Sequence, residues 1–454
     1  MTLSLDTIVS LAKRRGFVFP SSEIYGGFAA TYDFGPLGFL LKKNLEKAWR
    51  HWNVESREDV VEIEGAIFLH PKVWEASGHV GGFSDLLVED TVTHKRYRAD
   101  HLIEEAGILE NAGALSPQEV DDIVKKNTLK SIDGNPLSSA KKFNLLVKTH
   151  LGPVEDETTV AYLKGESCQN IYVDYKSVQE TMRLKLPFGI AQIGKAFRNE
   201  ITVKSFLLRT REFEQMDVQY FCRPEDADRF YEEWKKNRFE FYTQYLGFLG
   251  DHVRWRQHDQ DERAFYAKDA WDIEIKLGDL GLKEVEGVHH RGSYDLDQHA
   301  KYSGKDLTYF DQETGERFNP FIVECSGGFN RLFLATLFEF YREEPDRVVL
   351  ALPSKLAPYK AAVFPLLRNK PELVAKARIV FGALREKYMV AWDDRGNIGK
   401  RYFAQDEIGT PYCITVDFDT LENDTVTIRD RDTAEQKRVP ISDLDSIIAN
   451  AIRL

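Results

Sequence analysis

The stretch "FRNEITVKSFLLRTREFEQMD", Phe197–Asp217, sets three arginines, Arg198, Arg209 and Arg211, among four acids, Glu200, Glu212, Glu214 and Asp217. Its second half, continued as "LLRTREFEQMDVQYF", alternates with a period of two. It therefore reads as a strand with Arg209, Arg211 and Phe213 on one face and Thr210, Glu212 and Glu214 on the other. Arg198 closes the preceding strand pattern, "AQIGKAFRNE", and the loop "ITVKSF" makes the two a hairpin. A water-facing hairpin needs charge, but it does not need arginine. The guanidinium fork suits phosphate and carboxylate, because it makes two parallel charge-assisted hydrogen bonds, and it also lies flat on aromatic or purine faces. Phe213 is placed to cover a planar base. The plain alternative is cross-strand Arg–Glu pairing, worth roughly 0.2–1 kcal/mol per pair.

Three further clusters lie outward from this hairpin. In "ECSGGFNRLF", Glu324–Phe333, a strand ends at Glu324, small residues Ser326, Gly327 and Gly328 make a turn, and a helix opens with Arg331 in its first turn. Helix N-termini and glycine turns favour anions, although the spacing is neither a Walker loop nor a dinucleotide fingerprint. In "KEVEGVHHRGSYDL", Lys283–Leu296, Glu284 and Glu286 are expected on opposite sides of a strand, and a carboxylate beside polyphosphate implies Mg²⁺. The adjacent His289 and His290 point apart and make a poor chelate, so they read as structural or hydrogen-bonding groups. In "YLKGESCQNIYVDYKSV", Tyr162–Val178, Glu166 sits beside small residues before a strand. Neither HExxH nor a nucleophile elbow occurs, which argues against hydrolases.

The chain has 454 residues, 43% hydrophobic and 12% aromatic, enough for two to four domains with a large core. No apolar run is long enough to span a membrane as a helix, and "MTLSLDTIVSLAKRRGF" reads as a short amphipathic helix, which leads us to expect a cytoplasmic address. The cysteines, Cys168, Cys222, Cys325 and Cys413, are far apart and form no C-x-x-C pair, which fits a reducing compartment. Net charge is −12, but the tail from Ala351 is near neutral. Phosphate contact depends on local patches, so an acidic total does not exclude nucleic acid.

"PLGFLLKKNLEKAWRHW", Pro36–Trp52, has helical spacing with Leu37, Leu41, Leu45 and Ala48 on one stripe. "VVEIEGAIFL" follows as strand, ending at Pro71. A polar insertion at about 102–142 holds a capping box, Ser116 to Glu119. Residues 143–221 read as strands and turns, and "PEDADRFYEEWKKNRFEFYTQYL", Pro224–Leu246, as a helix with core aromatics; more strand follows to Cys325. From about Glu344–Arg347 onward strand and helix alternate. The fold class is therefore α+β, an antiparallel-sheet body at 1–346 and a small α/β unit at 347–454.

Together these segments resemble class II aminoacyl-tRNA synthetases, and among them the dimeric glycyl-tRNA synthetases. "FRNE…LLRTREFEQMD" resembles the second signature motif of the class, "ECSGGFNRLF" the third, and the helix and strand ending at Pro71 the first, which builds the dimer interface. "YDFGPLG", "VWEASGHVGGFSD", "YRADHLIEE", "KTHLGPVED", "FYAKDAWDIE" and "EGVHHRGSYDL" resemble glycine-specific segments, in family order. The chain departs from the family at "GESCQN", where proline-glutamate-threonine-alanine-glutamine-glycine is usual, and at Cys325, where proline is usual. Many bacterial members have a cysteine-rich zinc element in the first insertion. No cysteine stands there in this chain, so zinc is not expected.

The resemblance implies a catalytic domain with an insertion, a C-terminal anticodon-binding domain, a homodimer, and glycine, ATP, Mg²⁺ and tRNA(Gly) as partners. It implies catalytic roles for Arg198, Arg209 and Arg331. Arg198 would hold the α-phosphate and the glycine carboxylate, Glu200 would read the adenine amino group, and Arg209 would neutralise the outer phosphates. Phe213 and Arg331 would sandwich the adenine, and Glu284 would hold Mg²⁺. Arg211 supports either the strand or the phosphates. Asn199, Leu208, Val285 and Gly328 complete the ATP set. Glu166, Glu214 and Glu324 would surround the glycine ammonium, with Ser326 filling the space of a side chain. Arg98, Arg291, Gln215 and Asp217 are further residues of that pocket, along with Phe213 and Gly328. Glycine is the smallest amino acid, so a filled wall excludes every competitor and no editing domain is needed. The alternatives are a sister enzyme for proline, threonine or serine, and a non-catalytic synthetase-like subunit. Threonine enzymes need zinc ligands in the pocket, and such subunits typically lose the catalytic arginines.

Overall fold

The computed structural model describes residues 2–109, 112–201, 206–259 and 268–453. Residues 202–205 of the hairpin loop and 265–267 of "FYAKDAWDIE" lie outside the described residues. The hairpin is part of a seven-stranded sheet. Its strands are β1 (Val60–Glu62), β2 (Phe188–Phe197), β3 (Glu212–Cys222), β4 (Val253–Gln257), β5 (Asp269–Lys276), β6 (Leu282–Gly292) and β7 (Phe321–Gly328), in the order β4-β5-β6-β7-β3-β2-β1. Neighbours are antiparallel except β1 and β2, which run parallel.

The amphipathic stripes are buried as their spacing predicts. Helix α1 (Leu5–Arg14) is capped by Ser4 and buries Ile8, Leu11 and Ala12. Helix α2 (Pro36–Arg50) buries Leu37, Leu41, Leu45 and Ala48. Helix α4 (Ala227–Glu240), with the turn after it, buries Phe230, Tyr231, Trp234, Phe241 and Tyr242. Apart from Leu11, these side chains and the buried apolar residues of α6 (Phe329–Phe340) form one core with Met216, Val218, Val285, Val288 and Val323 of the sheet.

Several expectations are corrected. The segment after Glu166 is a helix, α3 (Cys168–Thr181), and not a strand. Its β-branched and aromatic residues suggested strand, but Ile171, Tyr172 and Tyr175 are helically spaced and are buried on Phe188, Ile190 and Phe221. Strand material before Cys325 is likewise interrupted by α5 (Tyr294–Ser303). "VVEIEGAIFL" is two short strands in different sheets, Val60–Glu62 and Phe68–Leu69. Between them Gly65 passes so close to the Asn170 side chain that a Cβ would overlap it. Gly327 and Gly328 make no turn, because β7 runs through both and α6 follows directly. A Cβ at Gly327 would stand 2.7 Å from Met216 Cε on β3, so this glycine serves close packing between strands. Arg209 and Arg211 precede β3, whose first residue is Glu212.

Glu284 and Glu286 do face opposite ways, for a reason other than alternation. Residues i and i+2 of a regular strand share a face. In β6 the register slips so that Glu284 opposes Glu274 while Glu286 opposes Ile273, which leaves Val285 as the extra residue of a bulge. Glu286 is thereby buried against Arg238, at 2.6 Å, and the Tyr242 hydroxyl, at 2.7 Å, while Glu284 turns to the other side.

The polar insertion belongs to a small unit with its own core. Strands Ser84–Glu89, Arg96–Arg98 and Lys141–Asn144 pack with helices Ala99–Glu105 and Pro117–Asn127 around Val88, Leu102, Ile103 and Val120. The capping box at Ser116 and Glu119 is present in both directions. In the tail a five-stranded sheet joins β8 (Ala361–Pro365), β9 (Val390–Trp392), β10 (Tyr412–Val416), β11 (Thr425–Asp430) and β12 (Gln436–Pro440) in the order β9-β8-β10-β11-β12. Its core includes Val363, Ala377, Ile414 and Ile448. Leu350, Leu352 and Leu356 belong instead to the core of the body, and Arg347 bridges to Asp406 of the tail at 2.8 Å.

Candidate active site

One face of the β6-β7-β3-β2 centre is a pocket. Its lining includes Glu166, Arg198, Glu200, Leu208, Arg209, Phe213, Glu214, Gln215, Glu284, Arg291, Glu324, Ser326, Gly328 and Arg331. Three separated segments therefore meet because antiparallel pairing sets Gln215 opposite Gly328, Asp217 opposite Ser326 and Glu286 opposite Gly327, and the Glu166 segment joins them through the Gly165 carbonyl, which accepts from Arg198 Nε at 3.1 Å.

Three arginines line the pocket, Arg198, Arg209 and Arg331. Arg331 lies 3.0 Å from the Glu284 carboxylate, and its Nε donates to the Leu208 carbonyl at 3.3 Å. Arg209 stands 3.9 Å from Glu200. Arg198 leaves β2 with its guanidinium 5.0 Å from the Phe83 ring and 5.2 Å from the Phe213 ring. Its Nε donates to the Gly165 carbonyl at 3.1 Å.

The floor is acidic. Burial raises the Glu324 carboxyl, but Arg291 and His289 outweigh it and bring it down to about 2. Arg291 Nη1 donates to Glu324 at 2.8 Å, His289 Nδ1 lies 2.8 Å from the same oxygen, and Gln219 donates to the other at 3.0 Å. Asp295 takes the remaining fork of Arg291 at 2.7 and 2.8 Å. Glu166 is also raised by burial, yet His79, Arg198 and Arg291 hold it well below the usual carboxylate range. Asp217, 1% exposed, goes the other way. Burial pushes it up to about 7 despite hydrogen bonding from Ser167 and Ser326. Two ionised carboxylates, Glu166 and Glu324, thus line the pocket with the Asp217 carboxyl beneath them, an arrangement suited to a small cation such as a primary ammonium.

Five expected residues do not line this pocket. Arg98 pairs with Asp85 and Asp100 on the insertion unit, at 3.3 and 2.5 Å. Arg211 donates to the Glu200 carbonyl at 3.1 Å, so it supports the loop. Asn199 bonds the Leu145 carbonyl through its backbone, and the Val285 side chain lies in the body core. Asp217 lies beneath the lining, bonded to Ser167. Glu214 lines the pocket, but its Oε1 already meets Lys42 of α2 at 2.6 Å.

Other pocket residues, Cys168, Thr210, Gly287, His289 and Asn330, were not assigned there from sequence. Alternation from Arg291 back to His289 and Gly287 carries the signal for two of them. His79, which lies 3.1 Å from Glu166, is separated from it by 87 positions, and no spacing rule connects them.

Residues 153–341 match the profile of the tRNA synthetase class II core domain (G, H, P, S and T), and residues 360–451 match that of the anticodon binding domain. The chain is 45% identical to the glycine–tRNA ligase of Borreliella burgdorferi, over 99% of this chain and 97% of the relative. It is 46% identical to that of Streptomyces coelicolor, over 99% and 98%. It is 44% identical to that of Chlorobaculum tepidum, over 99% and 100%. With class II core, anticodon-binding domain and full-length similarity in agreement, the chain belongs to the glycine–tRNA ligase family of class II aminoacyl-tRNA synthetases.

Proposed function

We propose that the protein joins glycine to ATP, giving glycyl-adenylate and pyrophosphate, and then transfers the glycyl group to the 3′ end of tRNA(Gly). The observation that supports this is one pocket lined by Arg198, Arg209 and Arg331 together with Glu166 and Glu324. A glycine carboxylate oxygen attacks the α-phosphorus and pyrophosphate leaves; a ribose hydroxyl of the tRNA then attacks the glycyl carbonyl and AMP leaves. No covalent enzyme intermediate is required, so catalysis is positioning and stabilisation of charge. Arg198 holds the α-phosphate and glycine carboxylate, Arg209 the outer phosphates, and Phe213 and Arg331 the two faces of adenine, with Glu200 at its amino group. Glu166 and Glu324 meet the ammonium, and Ser326 closes the space beyond Cα.

Glu284 is the residue that would hold Mg²⁺. Its half-exposed carboxylate at the pocket supplies the oxygen ligand that this hard ion takes alongside phosphate oxygens, and the ion would neutralise charge as pyrophosphate leaves.

Residues 1–346 act as the synthetase body and 347–454 as the anticodon-binding unit, with 348–357 strapped back onto the body core. A two-fold dimer forms through the region of Pro36–Pro71. Supporting this, Phe39 and Phe68 within that region are each half-exposed, as large apolar side chains awaiting a partner surface would be. ATP–pyrophosphate exchange measured with each amino acid tests the reaction: glycine alone should support it, and exchange driven by another amino acid but not by glycine would overturn the reading.

A further inference from the structure

Glu166 Oε1 and Arg198 Nη2 stand 3.7 Å apart. Opposite charges this close in a partly buried pocket tend to close into a hydrogen-bonded pair. Here contacts on both sides resist closure. On the carboxylate side, His79 Nε2 lies 3.1 Å from the other oxygen, Oε2. On the guanidinium side, the Gly165 carbonyl takes Nε, and the Phe83 ring lies 5.0 Å away. His79 and Phe83 come from one short segment, and their rings are 5.1 Å apart.

The imidazole is itself fixed. It is 8% exposed, meets Trp74 edge-on at 5.3 Å, and has Nδ1 2.8 Å from Ser77 Oγ. An ionised carboxylate only accepts, so Nε2 carries the proton toward Glu166. The segment "VWEASGHVGGFSD" thus reaches both charged groups without lining the pocket.

We propose that His79 is a positioning residue that keeps Glu166 from closing onto Arg198, so that each group stays available to one end of a zwitterionic amino acid lying across the pair. The ammonium sits at Glu166 and the carboxylate at Arg198. This rests on the reading in which Glu166 meets the glycine ammonium.

The test compares His79→Leu, which keeps bulk and removes the donor, with His79→Gln, whose amide reaches about as far as Nε2. Glu166→Gln serves as the control. Glycine and ATP KM values come from pyrophosphate exchange, and melting temperatures come from the same samples. In His79→Leu the glycine KM should rise about tenfold or more while the ATP KM moves less than about twofold; His79→Gln should stay within about threefold of the parent. Equal glycine KM increases in both variants would reduce His79 to packing and overturn the proposal. So would a parental glycine KM in His79→Leu when Glu166→Gln raises it. If Glu166→Gln leaves the glycine KM unchanged, the ammonium assignment fails first and the proposal with it. If His79→Leu does not fold, Ser77→Ala, which frees the ring, should raise the glycine KM about threefold, and an unchanged value would overturn the proposal.

Discussion

At the scale of single residues, Glu324 shows why a carboxylate's role has to be argued from all its partners. It lines the pocket, and it is also bonded to buried Arg291, His289 and Gln219. Glu324→Gln should therefore act twice. The glycine KM should rise at least about tenfold, and stability should fall by about 2–5 kcal/mol, because the Arg291 guanidinium loses one of its two carboxylates. Exchange kinetics and melting on one sample separate the two effects, and a lowered melting temperature with a normal glycine KM would leave Glu324 purely structural. Arg331→Ala should cost about 2.7–4 kcal/mol of transition-state stabilisation, shared between ATP KM and kcat, with the fold intact. Unchanged exchange would remove Arg331 from the site. Asp217 gives a pH signature. Its pKa in the fold, raised to about 7, means that its favourable contribution is complete below the ordinary carboxyl range and is lost as pH rises through about 7. Asp217→Asn should flatten the fall in melting temperature between pH 5 and 8, and an identical slope in both proteins would contradict this.

At the scale of elements, glycines and one bulge do the placing. Gly38 lies in α2 where a Cβ would overlap the Phe17 carbonyl, which is backbone and has no rotamer to change. Gly382, in the tail helix Pro371–Arg385, has open space around it. Gly38→Ala should destabilise by about 3 kcal/mol or more, and Gly382→Ala should stabilise by about 0.5–1 kcal/mol. Chemical denaturation of both variants checks the contrast. The bulge at Val285 likewise decides chemistry, since it sends Glu284 to the pocket and Glu286 to the Arg238 pair. Periodicity alone would have left both acids on one face. The stripes of α2 and α4 were legible because burial on one side of a helix requires a fixed spacing. Helix α3 was not, because its apolar residues are also good strand formers and its helicity is settled by packing on the sheet.

At the scale of the molecule, the body and tail have separate cores, yet Leu350, Leu352 and Leu356 fill the first of them. Truncation after Ala357 should leave glycine-dependent exchange largely intact and reduce tRNA charging steeply, whereas truncation at Arg347 should also cost the body stability. A folded body that charges tRNA as well as the full chain would overturn the division of labour. Sedimentation at micromolar concentration checks the proposed dimer, and a fully active monomer would contradict it.

The sequence by itself determined the chemistry present: arginines at Arg198, Arg209 and Arg331, carboxylates at Glu166, Glu284 and Glu324, and the hairpin that carries the first of them. Local spacing and side-chain chemistry suffice for that, because alternation and helical periodicity are properties of short segments. Only the tertiary structure decided which of these groups share a pocket, that Glu214 is engaged by Lys42, that Arg98 and Arg211 stand aside, and that His79 reaches Glu166. Those outcomes depend on strand register, a bulge and contacts between distant segments, where one residue of slip moves a side chain to the opposite face.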